Sequence, residues 1–284
     1  MKGFKNIGNT CYLNSGLQML VQNRDLCQLI INYSSGSEIL GKIAEFIKKY
    51  YDESSPDVIV PREIKKIVED KKDIFEGFEQ QDSTEFIIFL LDIIDEEIRK
   101  IHKDSGGIQP IFGIKFNVRI KCKLRECLQI YNREEFNNFL LLDIDSDCSS
   151  LEDAYRNFKS GAKLESDDKY FCEKCQAKRT ASKRHTIDTW PKYINIWLKR
   201  FRHNGKRVTK NNQELDIPFE WRHNNHLQGA IIHYGSLDGG HYVYVGKHDS
   251  KWYLFNDSSV SEIKSESELK SLLSNAYWLY YAQL

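Results

Sequence analysis

The chain has 284 residues, with 41 lysines and arginines balanced by 41 aspartates and glutamates, and 40% of its residues are hydrophobic. That apolar share excludes a disordered chain, and the balanced charge supplies no global field for nucleic acid or an acidic membrane, so neither partner is expected. Seven scattered cysteines, an odd number, make no disulfide framework, no apolar run nears the ~18 residues of a membrane span, and Met1-Lys2-Gly3-Phe4-Lys5 is no apolar leader, so a reducing cytoplasmic or nuclear setting is expected.

Taken in chain order, Leu13, Leu17, Leu20 and Val21 form a helical stripe over residues 11–22, with Asn9 and Thr10 as candidate caps. Cys11 then stands at a helix N-terminus. Ile39, Ile43, Phe46, Ile47 and Tyr50 predict a second helix, and Pro61 suits the first position of a third. Asp82-Ser83-Thr84-Glu85 reads as a capping box ahead of a helical repeat at Phe86, Phe89, Leu90, Ile93, Ile94 and Ile101. Beyond Ser105-Gly106-Gly107 the period changes to two. Residues 114–121 alternate as a half-buried strand, and 193–198, 229–232, 242–245 and 252–255 read as further strands. The polar run 202–214 reads as a long loop beside the site, suited to a lid. Helices first and sheet later predict an α+β fold.

A thiol at a helix N-terminus has its thiolate stabilised by the dipole and the free backbone N–H groups, which lowers its pKa and makes Cys11 a workable nucleophile. Free cysteines are more often inert core residues, and Cys27 and Cys148 keep that reading. A cysteine nucleophile needs an imidazole base, and the imidazole needs an orienting acceptor. Among eight histidines, His241 is singled out by the glycine-rich run Gly235-Ser236-Leu237-Asp238-Gly239-Gly240 that delivers it to a strand. Asn256 and Asp257, closing the strand at Trp252-Tyr253-Leu254-Phe255, are both candidate orienters, although a plain hairpin turn and an exposed imidazole would read the same way.

Four ordered segments carry a resemblance. Residues 3–15, with Asn6-Ile7-Gly8-Asn9-Thr10-Cys11 at their centre, resemble the cysteine box of the ubiquitin-specific proteases, and Gly239-Gly240-His241-Tyr242 resembles their histidine box. Gln80-Gln81-Asp82-Ser83-Thr84-Glu85-Phe86 is similar to the glutamine box, Leu198-Lys199-Arg200-Phe201 to a further family strand, and Tyr277-Trp278-Leu279-Tyr280-Tyr281 to the closing strand. The resemblance implies one catalytic unit over 1–284. It would have a papain-like fold with a helical thumb over about 1–105, then fingers and an antiparallel palm over 106–284.

By the same resemblance, Cys11 would be the nucleophile, His241 the general base, Asn256 the third member with Asp257 as understudy, and Asn6 the oxyanion amide. Gln80, Asp82, Glu85, Gly240 and Tyr242 would line the channel for the modifier's tail, with Asp82 and Glu85 receiving an arginine. Both acids serve a capping box equally well, and the two roles are partly compatible. The implied reaction is hydrolysis after the terminal glycine of ubiquitin through a thioester, with no catalytic cofactor, by a monomer acting on ubiquitin and ubiquitinated proteins. Two other readings stand beside it: a catalytically silent ubiquitin-binding module, and a protease for a ubiquitin-like modifier.

Cys172-Glu173-Lys174-Cys175 has the spacing of a zinc ribbon and needs a second pair. Only Cys122 and Cys127 lie upstream as candidates, and their CxxxxC spacing departs from the CxxC expected of the family, with Leu124 where the first cysteine belongs. A structural zinc is expected, and a metal-free finger held by its strands is the alternative. The basic residues Lys174, Lys178, Arg179, Lys183 and Arg184 read as a solvated face without a partner.

Overall fold

The computed structural model describes residues 1–204, 207–235 and 239–283, and gives the backbone alone at 202–204 and 207–208. The first part of the chain is helical, with β1 (Gly3–Phe4), α1 (Cys11–Gln22), α2 (Arg24–Tyr33), α3 (Glu38–Tyr51), β2 (Val58–Ile59), α4 (Arg62–Glu69), α5 (Ser83–Ile101) and α6 (Gln109–Phe112). It thus runs a little past the boundary near 105 that the sequence suggests. Pro61 proves to be the N-cap of α4 rather than its first residue, a shift of one position that follows from the ease with which proline takes either place.

Helix α1 differs more. Instead of a half-buried stripe, residues 11–21 are all buried, because the helix is wedged between α5 and the main sheet. Its polar residues survive burial by bonding: Asn14 Nδ2 donates to Asp257 at 2.7 Å, Ser15 and Ser83 hydroxyls meet at 3.0 Å, and Gln18 Nε2 donates to the Lys2 carbonyl at 2.8 Å. Left unpaired, each such group would cost about 1–3 kcal/mol. Apolar residues on the same helix, among them Leu13 and Leu17, enter a core shared with Phe4, Phe86 and Ile94.

The second part opens with β3 (Ile114–Cys122), β4 (Ile130–Asn137), β5 (Leu140–Asp143), α7 (Leu151–Ser160), β6 (Ala162–Leu164), β7 (Tyr170–Cys172), β8 (Ala177–Arg179) and β9 (Ala181–Thr189). Strands β4, β3, β9 and β6 form one antiparallel sheet, and β7 and β8 form a short ribbon. The strand expected over 114–121 is β3, and its buried residues alternate as predicted.

Then come β10 (Tyr193–Lys199), β11 (Phe201–Asn204), β12 (Arg207–Lys210), β13 (Glu220–Trp221), β14 (Asn225–Gly235), β15 (Gly240–His248), β16 (Lys251–Asn256), β17 (Ser259–Ile263), α8 (Glu266–Leu273) and β18 (Ala276–Gln283). They form the main sheet in the order β17-β16-β15-β14-β18-β10-β5, antiparallel except for the β10–β5 pair, with β13 on β14. The loop expected over 202–214 contains a hairpin instead, since β11 and β12 pair antiparallel. Their polar sequence concealed them, because a ribbon separate from the main sheet needs no alternating apolar face. Gly205 and Lys206 within that loop, and 236–238 of the glycine-rich run before His241, lie outside the described residues.

Candidate active site

The N-terminal strand sets the site. Gly3 runs so close to the turn after β16 that a Cβ there would lie 2.4 Å from the Ser258 carbonyl oxygen, and the Phe4 N–H donates to Asp257 O at 2.8 Å. The loop leading to α1 is therefore fastened to the turn that carries Asn256 and Asp257.

Within that loop Asn6 organises the backbone. Its Oδ1 accepts from the N–H of Gly8 and of Thr10, both at 3.1 Å, while Nδ2 donates to Asp257 Oδ2 at 2.9 Å. A carboxamide nitrogen carries two hydrogens, so Asp257 takes one and the other remains to donate. The expected caps do not cap. Thr10 is the N-cap residue, but its hydroxyl accepts from the Ile7 N–H at 2.9 Å and makes no cap bond, and Asn9 Nδ2 donates to the Phe78 carbonyl at 2.9 Å. A missing cap costs about 1 kcal/mol. What it leaves is a helix end whose first N–H groups, those of Cys11 and Tyr12, turn to the Cys11 sulfur.

Cys11 is 4% exposed. Burial pushes its thiol above the ordinary range, and the Asp257 charge pushes the same way, against stabilising N–H groups from Tyr242, Tyr12 and Cys11 itself. The lowered pKa expected from the helix N-terminus is thus overturned as a net effect: the three N–H groups are present, but desolvation outweighs them. The Tyr242 N–H that reaches the sulfur belongs to the residue next to His241, so the two ends of the chain meet here. His241 Nε2 lies 2.7 Å from Asn256 Oδ1. Since a carbonyl oxygen can only accept, Nε2 is the donor, and in the neutral imidazole that leaves Nδ1 with the lone pair. Asp257 instead faces Asn6 and Asn14, which separates the two candidate orienters.

The predicted channel residues fall into distinct places. Gln80 Oε1 accepts from the Gly240 N–H at 3.0 Å, joining the segment before α5 to the start of β15. Asp82 caps α5 through the N–H of Thr84 and Glu85, at 2.7 and 3.2 Å, and its other oxygen accepts from the phenols of Tyr277 at 2.5 Å and Tyr242 at 3.4 Å. Burial first, and then the Asp82 charge, hold both phenols protonated as donors. Both oxygens of Asp82 are thus engaged by the cap and the sheet. Glu85, exposed in the first turn of α5, is left to face solvent.

A family model described as "Ubiquitin carboxyl-terminal hydrolase" matches residues 2–281. The chain belongs to that family. It is 28% identical over 330 residues to "Ubiquitin carboxyl-terminal hydrolase Usp2" of Drosophila melanogaster, covering 98% of this chain and 34% of the relative. It is 28% identical over 334 residues to "Ubiquitin carboxyl-terminal hydrolase 2" of Bos taurus, covering 99% and 55%. The chain therefore spans about half or less of these curated relatives. Among solved structures, the "SAGA Ubp8/Sgf11/Sus1/Sgf73 DUB module bound to ubiquitin aldehyde" matches with a TM-score of 0.80 at 23% identity, over 99% of this chain and 69% of that one. The same module bound to monoubiquitin matches at 0.83 and 22%, with the same coverage. The fold is accordingly the α+β papain-like fold of hydrolases of this family.

At the ends of β3 and β7, Cys122, Cys127, Cys172 and Cys175 bring their sulfurs within 4.8 Å of one another, and Cys127 and Cys172 are 3.7 Å apart. Tetrahedral Zn–S bonds of about 2.3 Å imply S···S distances of about 3.8 Å, so the set fits a structural zinc. The doubt over register is answered at the strand end: β3 closes on the buried Cys122, and the chain doubles back through the Cys127 N–H to Leu124 O bond, so Cys122 rather than Leu124 joins Cys127 in the cluster. Cys27 and Cys148 are buried core residues, as read from sequence. Sequence reasoning missed Asn14, which holds Asp257, and the role of Arg200 in its motif. Arg200 is 1% exposed and donates to the carbonyls of Ala276, Gln213, Ser274 and Asn211 at 2.7–3.1 Å. Burial lowers it to about 10.

Proposed function

We propose that the chain is a deubiquitinating thiol isopeptidase that cleaves after the C-terminal glycine of ubiquitin. One observation carries this reading: a Cys11 sulfur met by three backbone N–H groups, one of them adjacent to an imidazole whose far nitrogen is tied to Asn256. His241 Nδ1 takes the thiol proton, and the thiolate attacks the glycine carbonyl carbon. The oxyanion is received by the free Asn6 hydrogen and the α1 backbone N–H groups. Collapse expels the lysine amine with a proton from His241, and a water deprotonated by His241 then hydrolyses the thioester. Asn256 keeps the imidazole in the productive tautomer without adding charge. Neither step calls for a cofactor.

The same reading makes residues 1–284 one catalytic unit that works as a monomer on ubiquitin and its conjugates in the cytoplasm or nucleus. The test is parallel hydrolysis of C-terminal fluorophores of ubiquitin and of ubiquitin-like modifiers. Ubiquitin should be preferred, and Glu85→Ala should raise its KM roughly tenfold, the worth of one charge-assisted hydrogen bond, with kcat held. Faster cleavage of a ubiquitin-like substrate would transfer the activity to that modifier, and binding without cleavage would favour the silent module.

A structural zinc in the finger cluster belongs to this proposal. The four thiolates would close the site, leaving no open position for chemistry. Metal analysis should find about one zinc per chain. Cys172→Ser with Cys175→Ser should lose it and lower the melting temperature while sparing kcat at low temperature. Unchanged melting after chelation would remove the zinc assignment.

A further inference from the structure

Strand β14 outruns its neighbour. Its last pairing with β18 is Ile232 with Ala276, where β18 begins, so residues 233–235 continue along β15 and, among the described residues, pair with no strand on their other side. Across β15 this overhang faces the site directly: His233 pairs with Tyr242, Tyr234 with His241 and Gly235 with Gly240. The carbonyls on that open side meet a lysine side chain. Lys210, the last residue of β12, donates from Nζ to the carbonyl oxygens of His233 at 2.8 Å and Gly235 at 3.0 Å. Alternate carbonyls of a strand share one edge, so the ammonium takes the place a further strand would occupy.

Lys210 is itself anchored. Asn211, the next residue, gives its N–H to the Arg200 carbonyl at 2.6 Å, and Arg200 Nη1 donates to the Asn211 carbonyl at 3.1 Å. Burial first, and then the neighbouring Arg200 cation, pull Lys210 below its ordinary pKa, and burial, Lys210 and His241 together hold His233 down to about 4. Such a site keeps a cation only because carbonyl dipoles take the place of lost water. The strand segment that carries His241's cross-strand partner is therefore braced from outside by the base of the β11–β12 hairpin.

We infer that Lys210 is a positioning residue for His241: its ammonium clasps the overhanging end of β14 and so fixes the β15 segment that presents the imidazole to Cys11. This rests on the reading of the site proposed above. It is tested with Lys210→Met, which keeps the stem and removes the ammonium, Lys210→Gln, which keeps a neutral donor, and Lys210→Arg, which restores a cation. The readouts are kcat and KM on a ubiquitin C-terminal fluorophore, the rate of Cys11 carboxamidomethylation by iodoacetamide at one neutral pH, and thermal melting.

Lys210→Met should lose about 10-fold in kcat, as expected for a lost charge-assisted bond, with slower alkylation of Cys11, and Lys210→Arg should recover most of both. If Lys210→Met does not fold, an intermediate kcat for Lys210→Gln with recovery in Lys210→Arg supports the clasp, and equal kcat in those two overturns it. A rise in KM with kcat and alkylation unchanged would overturn it too, giving the hairpin to modifier contact. Should the wild type not cleave ubiquitin at all, the proposed function fails, while the alkylation rates still decide the role of Lys210: unchanged rates overturn it.

Discussion

Alanine at His241 is expected to lower kcat on a ubiquitin fluorophore by about 10⁴-fold, and Cys11→Ala to abolish covalent capture by a ubiquitin probe bearing a C-terminal electrophile. Burial and the Asp257 charge hold the Cys11 thiol above the ordinary range. At neutral pH little thiolate would exist without a partner to take the proton. An imidazole with Nδ1 free supplies that partner, and the imidazolium it becomes offsets the thiolate charge locally.

The pH dependence of alkylation separates the two contributions. In the wild type, iodoacetamide should react with Cys11 at neutral pH. In His241→Ala the raised thiol pKa means the rate climbs only at alkaline pH, beyond the ordinary thiol range. Circular dichroism would confirm that the fold is retained. Turnover within about tenfold of wild type in His241→Ala would sink the assignment of the base, because general-base loss alone should exceed that.

How much of this was legible depended on whether a residue's role is local in sequence. Cys11 and His241 each lie at the start of an element whose period can be read, whereas the choice of Asn256 over Asp257 comes only with the family resemblance. Asp82 was legible as a cap for the same reason. Its second role was not, because the Tyr277 phenol comes from the last strand, and no local pattern announces a contact across 195 positions. Asn14 looks in sequence like a solvent-facing helical residue; only the burial of α1 on all sides turns it into the partner of Asp257.

The fold shows the same division. Strong periods such as α5 and β3 were read correctly. Helix α2 was passed over because only Leu26, Cys27 and Ile30 are buried along it, too few to show against its polar face. The hairpin β11–β12 reads as a loop because its sequence is largely polar beyond Phe201, the residue of β11 that packs against the core. The finger cysteines were found by spacing, whereas the turn that brings Cys122 and Cys127 together is set by backbone hydrogen bonds that composition does not reveal.

Asn6→Ala is the second large effect expected, a fall of about 10²–10³ in kcat with KM nearly unchanged. An amide that donates to an oxyanion acts only once the carbonyl has become tetrahedral, so its loss is felt in the transition state and not in binding. Asn6 is prepared for this by its neighbours. The N–H groups of Gly8 and Thr10 hold its oxygen, and Asp257 holds one of its two amide hydrogens, which leaves the other aimed by geometry already set before substrate arrives. Asp257→Asn then makes a prediction of opposite signs. Losing the carboxylate loosens the grip on Asn6 and should cost about tenfold in kcat. It also removes a charge that raises the Cys11 pKa, so alkylation of the thiol should quicken. A variant that reacts faster with a small electrophile and more slowly with ubiquitin would separate oxyanion support from nucleophile activation. If both rates fell together, Asp257 would be acting through the fold of the β16–β17 turn, and the aimed Asn6 donor would lose its explanation.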